Sequence, residues 1–133
     1  MAETEFDHDQ FDEAYPPGIE NTWWQVARSR VIVRTFANHV PLTARVLEVG
    51  CGTGIVTTHL RNAGWNVSGV EIGSPKNPLT TGGHVRTGIN AVDLPLEERK
   101  EFDALALFDV IEHIEDAPTF LGELFTAFPN ARQ

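Results

Sequence analysis

Residues 45–54, RVLEVGCGTG, decide the fold of this chain. The run from Arg45 to Val49 is short and mostly apolar, which is typical of a strand buried in a parallel sheet. Glycines 50, 52 and 54 follow at once, and they let the backbone turn sharply and approach a ligand closely. The helical pattern that begins at Ile55 then points its N-terminal amides toward that ligand. The stretch therefore predicts a strand, a glycine turn and a helix that build one wall of a binding site.

Strand and helix patterns alternate along the rest of the chain. We predict strands over 45–49, 66–72, 84–89 and 102–108, helices over about 20–39, 55–63 and 116–128, and loops over 73–83 and 93–100. This alternation indicates an α/β fold with right-handed crossovers, here a Rossmann-like, doubly wound, mostly parallel sheet with an N-terminal helix. In such sheets ligands bind beyond the carboxyl ends of the strands. The loops after the four predicted strands should therefore surround one crevice.

The overall composition predicts one domain that does not bind nucleic acid. The chain has 133 residues, a formal net charge of −9 and scattered basic residues, whereas nucleic-acid binding relies on clustered Lys and Arg. We expect an acidic N-terminal arm over 1–18 and a single domain over 19–133. The single cysteine, the absence of a signal-peptide pattern and the absence of a long apolar run predict a cytoplasmic protein without a membrane segment.

The carboxylate of Glu48 separates two ligand classes. A dinucleotide-binding turn has the spacing GxGxxG, whereas here the glycines alternate and Ile55 occupies the place of the third glycine. A pyrophosphate is also disfavoured beside a carboxylate, while a ligand with a positive amine or sulfonium is favoured. An NAD-dependent oxidoreductase module stays as an alternative, since Glu71 at the end of the second strand is compatible with it.

Several motifs together resemble a known family. Glu48-x-Gly50-x-Gly52-x-Gly54 is similar to motif I of class I S-adenosylmethionine-dependent methyltransferases, and residues 93–96 (DLPL) and 102–113 (FDALALFDVIEH) are similar to the small-molecule branch typified by quinone-biosynthesis methyltransferases. The resemblance covers roughly residues 20–128. It implies a sheet of strand order 3-2-1-4 and methyl transfer from S-adenosylmethionine to a small-molecule acceptor.

The resemblance also implies the residues of the cofactor site. Glu71 should accept hydrogen bonds from the ribose hydroxyls, Ile72 should lie against the adenine, and Asn90 with a neighbouring backbone amide should read the adenine edge. The cofactor carboxylate should meet the amides of the glycine turn, and its amine should lie near Gly50 and Asp109. The complete predicted set is Glu48, Gly50, Cys51, Gly52, Gly54, Glu71, Ile72, Asn90, Ala91 and Asp109.

His113 is the candidate catalytic residue, because it lies near the expected acceptor and could remove a proton from an acceptor hydroxyl. A purely structural histidine is the alternative. Asp109-x-x-Glu112-His113 also resembles the ExxEH motif of metal-dependent relatives, but Asp replaces the first Glu, and we predict no metal. Cys51 has no base partner and is expected to be a small filler. Trp23 and Trp24 are interpreted as helix packing residues, with substrate contact as the alternative.

The family sheet has seven strands, of which four are recognisable in this sequence. We therefore predict a cofactor-binding half without the C-terminal strands that carry much of the acceptor site. The fourth strand should then expose an apolar edge, covered by the acidic arm, by a second copy of the chain or by a separate chain. A non-catalytic fragment that binds S-adenosylmethionine, or an interaction module, is the alternative function.

Overall fold

The computed structural model describes residues 13–76, 78–79 and 82–132. Its centre is a four-stranded parallel sheet of order β3-β2-β1-β4, which confirms the predicted topology. The strands are β1 (Arg45–Val49), β2 (Asn66–Glu71), β3 (Val85–Thr87) and β4 (Ala104–Ala106). The α-helices are α1 (Trp23–His39), α2 (Ile55–Asn62), α3 (Leu96–Arg99) and α4 (Ala117–Ala127). Three short 3-10 turns lie at Ile19–Asn21, Ala91–Asp93 and Ile111–His113.

β1 is the central strand, and its alternating side chains enter two separate cores. Val46 packs with residues of α1 and α2, including Phe36 and Leu60. Leu47 faces the other way and packs with Leu124 of α4 and its neighbours. Helices thus cover both faces of the sheet, as a doubly wound fold requires, and a strand buried on both faces is apolar along its length.

Side-chain caps set the helix boundaries where the sequence carries them. The Thr22 hydroxyl accepts a bond from the amide of Gln25 and begins α1, and the Asp116 carboxylate accepts one from the amide of Thr119 and begins α4. Gly64, with φ +110°, follows α2 in the left-handed conformation predicted for its C-terminal cap. The predicted helices are confirmed to within a few residues.

Two predicted strands and one predicted loop differ in extent. The strand expected over 84–89 covers only Val85–Thr87, because Gly88 takes a positive φ and its amide turns to the carbonyl of Gly73. The strand expected over 102–108 covers only Ala104–Ala106, which is the length that pairs with β1. The loop expected over 93–100 contains α3, whose sequence LEER consists of good helix formers.

The predicted acidic arm lies partly outside the described residues, since the description begins at residue 13. Its end does not project away from the domain, because Ala14 and Tyr15 line the main cavity. β4 is an edge strand that pairs only with β1 among the described residues. No helix in the described ranges is both long and apolar enough to cross a membrane.

Candidate functional site

A cavity of about 750 Å³ opens at the carboxyl ends of β1, β2 and β4, which is where a doubly wound fold binds its ligands. A cavity of this size accommodates a nucleotide-sized molecule. The predicted site residues that line it are Glu48, Gly50, Cys51, Gly52, Glu71, Ile72, Asn90, Ala91, Asp109 and His113. The structure therefore brings together every predicted site residue except Gly54, while the roles of these residues stay predictions.

Gly54 lies outside the cavity lining and has a structural task. It takes φ +89° at the start of α2, and an added Cβ atom would lie 2.5 Å from a methyl carbon of Val85. Its lack of a side chain thus lets α2 begin and lets β3 pack beside the glycine turn. Gly50 meets a similar limit on the other side, where an added Cβ would lie 2.6 Å from Val110. The glycine turn is consequently in close contact with the segment that follows β4.

The amides of the glycine turn are engaged within the protein. Gly50 and Cys51 both donate to the carbonyl of Val70, at 2.9 and 3.1 Å, and Gly54 donates to the carbonyl of Cys51 at 2.9 Å. The amide of Gly52 donates to the carboxylate of Glu71 at 3.0 Å. These bonds hold the turn against the end of β2. The role predicted for the amides of this turn, the binding of a ligand carboxylate, stays a prediction.

Glu71 is fixed at the cavity wall by two backbone donors. One carboxylate oxygen accepts from the Gly52 amide and the other from the Gly73 amide, at 2.8 Å. A carboxylate has about four acceptor sites, so two remain for a ligand. A buried and oriented carboxylate at the end of β2 is suited to a pair of neighbouring hydroxyls.

Glu48 is a fully buried carboxyl group, with a relative exposure of 2%. The hydroxyl of Thr57 donates to it, and burial raises its pKa to about 7, while Thr57 and the charge of Arg28 act in the opposite direction. Arg45, at the other end of β1, is paired with Glu101. Because its pKa lies near 7, Glu48 can be either protonated or ionised beside a ligand at neutral pH.

Asp109 follows β4 in a left-handed backbone conformation, with φ +56°. Residues other than glycine seldom adopt this conformation, and Asp and Asn tolerate it best. The Asp109 carboxylate forms an ion pair with Arg28 of α1, and both residues line the cavity. The pair places one positive and one negative group side by side at the end of β4.

Arg28 was missed by sequence reasoning, which treated the basic residues as scattered. A usable signal was present in α1, where polar residues at 25, 28 and 29 recur at helical spacing and define one polar face. The tryptophans on this helix were interpreted wrongly as packing residues. Trp23 and Trp24 are 80% and 59% exposed, and Trp24 lines the cavity.

The remaining predicted residues occupy the cavity floor and rim. The side-chain oxygen of Asn90 accepts from the amide of Val92 at 3.3 Å, so its amide nitrogen is the group that can address a ligand. Cys51 is buried, and burial raises the pKa of its thiol, which fits the predicted role of a neutral filler. His113 lies in an exposed 3-10 turn at the rim. In the described part of the chain, no three His, Cys, Asp or Glu side chains are arranged to hold a metal ion.

The fold and the cavity together define a Rossmann-like domain with a cavity at the carboxyl ends of its strands. The chain belongs to the methyltransferase domain family, whose model matches residues 24–131. A ubiquinone biosynthesis O-methyltransferase of Xylella fastidiosa is 35% identical over an alignment of 89 residues that covers 60% of this chain and 36% of that protein. The corresponding protein of Rickettsia canadensis is 31% identical over an alignment of 125 residues that covers 80% of this chain and 53% of that protein. The predicted resemblance to the quinone-biosynthesis type is thereby confirmed, and this chain spans between a third and about half of the length of these relatives.

Solved structures share the fold at low sequence identity. The 1,6-didemethyltoxoflavin-N1-methyltransferase of Burkholderia thailandensis, solved with 1,6-didemethyltoxoflavin and S-adenosylhomocysteine, has a TM-score of 0.64 and 23% identity over 94% of this chain and 56% of that chain. The magnesium protoporphyrin IX methyltransferase of Synechocystis PCC 6803, solved with S-adenosylmethionine, has a TM-score of 0.56 and 18% identity over 89% of this chain and 62% of that chain. These similarities confirm the Rossmann-like fold.

Proposed function

We propose that this chain binds S-adenosylmethionine and is the cofactor-binding part of an enzyme that transfers its methyl group to a small-molecule acceptor. The observation that carries the proposal is the composition of the cavity wall. Among the described residues, four carboxylates and one arginine line it together with the glycine turn; the carboxylates are those of Glu48, Glu71, Asp109 and Glu123, and the arginine is Arg28. A cavity wall in which carboxylates outnumber cations suits a ligand that has a positively charged centre and an amino-acid end.

The lining residues fit this cofactor group by group. The two remaining acceptor sites of the Glu71 carboxylate suit the ribose hydroxyls, and Ile72 with the Asn90 amide nitrogen suits the adenine. The Arg28–Asp109 pair suits the carboxylate and the ammonium of the amino-acid end. When bound, S-adenosylmethionine supplies a methyl group that its sulfonium makes electrophilic. The protein's part is to hold this group and the acceptor in line, since positioning supplies most of the rate in such a transfer.

Apolar side chains also line the cavity, and they include Trp24, Ile114 and Phe120. We propose an acceptor with a hydroxyl group, by analogy with the O-methyltransferases among the relatives. A hydroxyl must lose its proton as its oxygen gains the methyl group, and His113 is the rim residue suited to take that proton. Replacing His113 with Ala should lower turnover at least tenfold in a complete enzyme and leave the Kd for S-adenosylhomocysteine unchanged. Unchanged turnover would remove His113 from the mechanism.

We further propose that the protein acts in the cytoplasm on a small molecule rather than on nucleic acid. The net charge of −9 and the free, buried Cys51 support this proposal. The outer edge of β4 is proposed as a contact for a second copy of the chain. The apolar side chains of Leu105 and Leu107 are half-buried along it, and an unpaired parallel strand edge favours further pairing.

Titration calorimetry tests the cofactor assignment. S-adenosylhomocysteine should bind the unmodified chain, NAD should not, and Glu71→Ala should lower the affinity at least tenfold because the ribose hydroxyls lose their acceptor. Glu97→Ala is the matched control, since Glu97 is an exposed carboxylate of α3 that lies outside the cavity lining. Binding of NAD instead would point to an oxidoreductase module. Binding of neither ligand would favour a non-catalytic interaction module.

A further inference from the structure

The N-terminal half of α1 is turned with polar side chains inward and apolar side chains outward. Gln25 and Ser29 are 8% and 1% exposed, whereas Trp23, Trp24 and Val31 are largely exposed. A helix that only covers a core shows the opposite pattern, with its apolar stripe inside. Because Gln25 and Arg28 line the ligand cavity, the polar face of α1 is a wall of that cavity.

The side chain of Gln25 carries an unused acceptor in this wall. Its amide oxygen is buried and accepts no hydrogen bond from any residue that the structure describes. Buried polar atoms in folded proteins are nearly always hydrogen-bonded, so an orphan acceptor in a residue that lines a cavity indicates a donor that arrives with a ligand.

Local helix capping explains why this acceptor has no partner within its own helix end. Thr22-x-x-Gln25 has the spacing of a capping box, in which the glutamine side chain folds back onto the backbone amide of the threonine. Only half of that box forms here. The Thr22 hydroxyl accepts from the Gln25 amide at 3.4 Å, but the Thr22 amide donates to the carbonyl of Ile19 at 3.0 Å. The carbonyl of Ile19, in the preceding 3-10 turn, thus accepts the hydrogen bond from the Thr22 amide that the Gln25 side chain accepts in a complete capping box.

The place of Gln25 on the helix indicates which part of a ligand it meets. Arg28 follows three residues later on the same face and pairs with Asp109, and the adjacent Val110 contacts Gly50. The polar face of α1 therefore stands where the glycine turn meets the end of β4. An acceptor oxygen near a carboxylate is complementary to a cation with several donors, and an ammonium group has three.

We infer that Gln25 is a specificity-determining residue of the cofactor site, and that its amide oxygen accepts a hydrogen bond from the ammonium at the amino-acid end of S-adenosylmethionine. The inference rests on the proposed function and extends it to α1. It makes this helix the part of the site that distinguishes the full cofactor from a nucleoside that lacks the amino acid.

Titration calorimetry with two ligands separates this role from a structural one. S-adenosylhomocysteine carries the amino-acid end, whereas 5′-methylthioadenosine has the same nucleoside without it. Gln25→Met keeps the length of the side chain and removes the acceptor. It should weaken S-adenosylhomocysteine at least tenfold, as expected for the loss of a hydrogen bond to a charged group, and should change 5′-methylthioadenosine by less than twofold. The midpoint of urea unfolding should not fall, because the variant removes a buried orphan atom.

Thr58→Val is the matched control. The Thr58 hydroxyl is also buried without a partner among the described residues, but it lies on α2 outside the cavity lining. This variant should leave both affinities unchanged. If Gln25→Met does not fold, Gln25→Ala should show the same discrimination between the two ligands.

Four results would overturn the inference. Unchanged affinity for S-adenosylhomocysteine would show that Gln25 does not meet the amino-acid end. Equal weakening of both ligands would show that Gln25 only supports the shape of the cavity. If the unmodified chain binds neither ligand, the proposed function is rejected and the inference is rejected with it. If the unmodified chain binds only 5′-methylthioadenosine, the nucleoside site is retained and the contact with the amino-acid end is rejected.

Discussion

Replacing Glu48 with Gln should change the pH dependence of stability. Burial raises the pKa of Glu48 from 4.5 to about 7, so folding favours the protonated carboxyl group. The contribution of this group to stability is therefore complete below pH 4.5 and is lost as the pH rises through about 7. This rise in the pKa corresponds to between about 3 and 4 kcal/mol, because a tenfold change in an acid dissociation constant is worth about 1.4 kcal/mol.

Glutamine is a close match in shape and keeps an oxygen that can accept from the Thr57 hydroxyl, but it cannot ionise. We expect Glu48→Gln and the unmodified protein to have similar free energies of unfolding near pH 4.5. At pH 8 the variant should be more stable by between about 3 and 4 kcal/mol. Urea denaturation, monitored by circular dichroism at several pH values between these limits, measures the difference.

Glu97→Gln is the control, because the Glu97 side chain is exposed and makes only a surface pair with Lys100. Its stability relative to the unmodified protein should stay nearly constant with pH, since such pairs contribute little. We compare the free energies of unfolding of Glu48→Gln and the unmodified protein. If their difference is the same at pH 4.5 and pH 8, the assignment of the raised pKa to burial of this carboxyl group is refuted.

Three further predictions concern two glycines near the site and the edge of β4. Gly50→Ala should destabilise the protein by about 2 kcal/mol in urea denaturation, because the position has a positive φ and the new methyl group meets Val110. Adding Val110→Ala should restore only the part of this stability that is lost through the contact. Full recovery of the stability would contradict a role for the backbone conformation. Gly69→Ala should cost about 1–3 kcal/mol, since an added Cβ would lie 2.7 Å from a buried sulfur and a buried hydroxyl, whereas Gly122→Ala, in open space within α4, should add up to about 1 kcal/mol. The chain should self-associate through the edge of β4 in sedimentation velocity, with slow amide exchange over 104–108; a monomer with fast exchange there would count against the proposed contact.

Local patterns were sufficient to predict the centre of the fold. An apolar run, three glycines and a helix start lie next to each other in residues 45–62, and each acts through the conformation of its own backbone. The caps at Thr22 and Asp116 are equally local, because the side chain bonds an amide three residues away. The collection of the predicted residues around one cavity followed from the alternation of strands and helices, whereas the sheet order came from the resemblance to the family.

The lengths of the outer strands were not available from such patterns. β3 ends where Gly88 turns the backbone with a positive φ. β4 extends only over the three residues that pair with β1. Propensity describes what a segment can form alone, whereas a strand exists only over the length that a neighbour pairs with.

The sequence by itself determined the family, the glycine turn and the acidic character of the site. Only the tertiary structure decided how those carboxylates are used: Glu71 bonds an amide 19 residues away, and Asp109 pairs with Arg28 across 81 residues. It also decided that the polar face of α1, including Gln25, closes the cavity rather than meeting solvent. These contacts join segments distant along the chain, and their partners are selected by packing of the whole domain, which no local spacing of residues records.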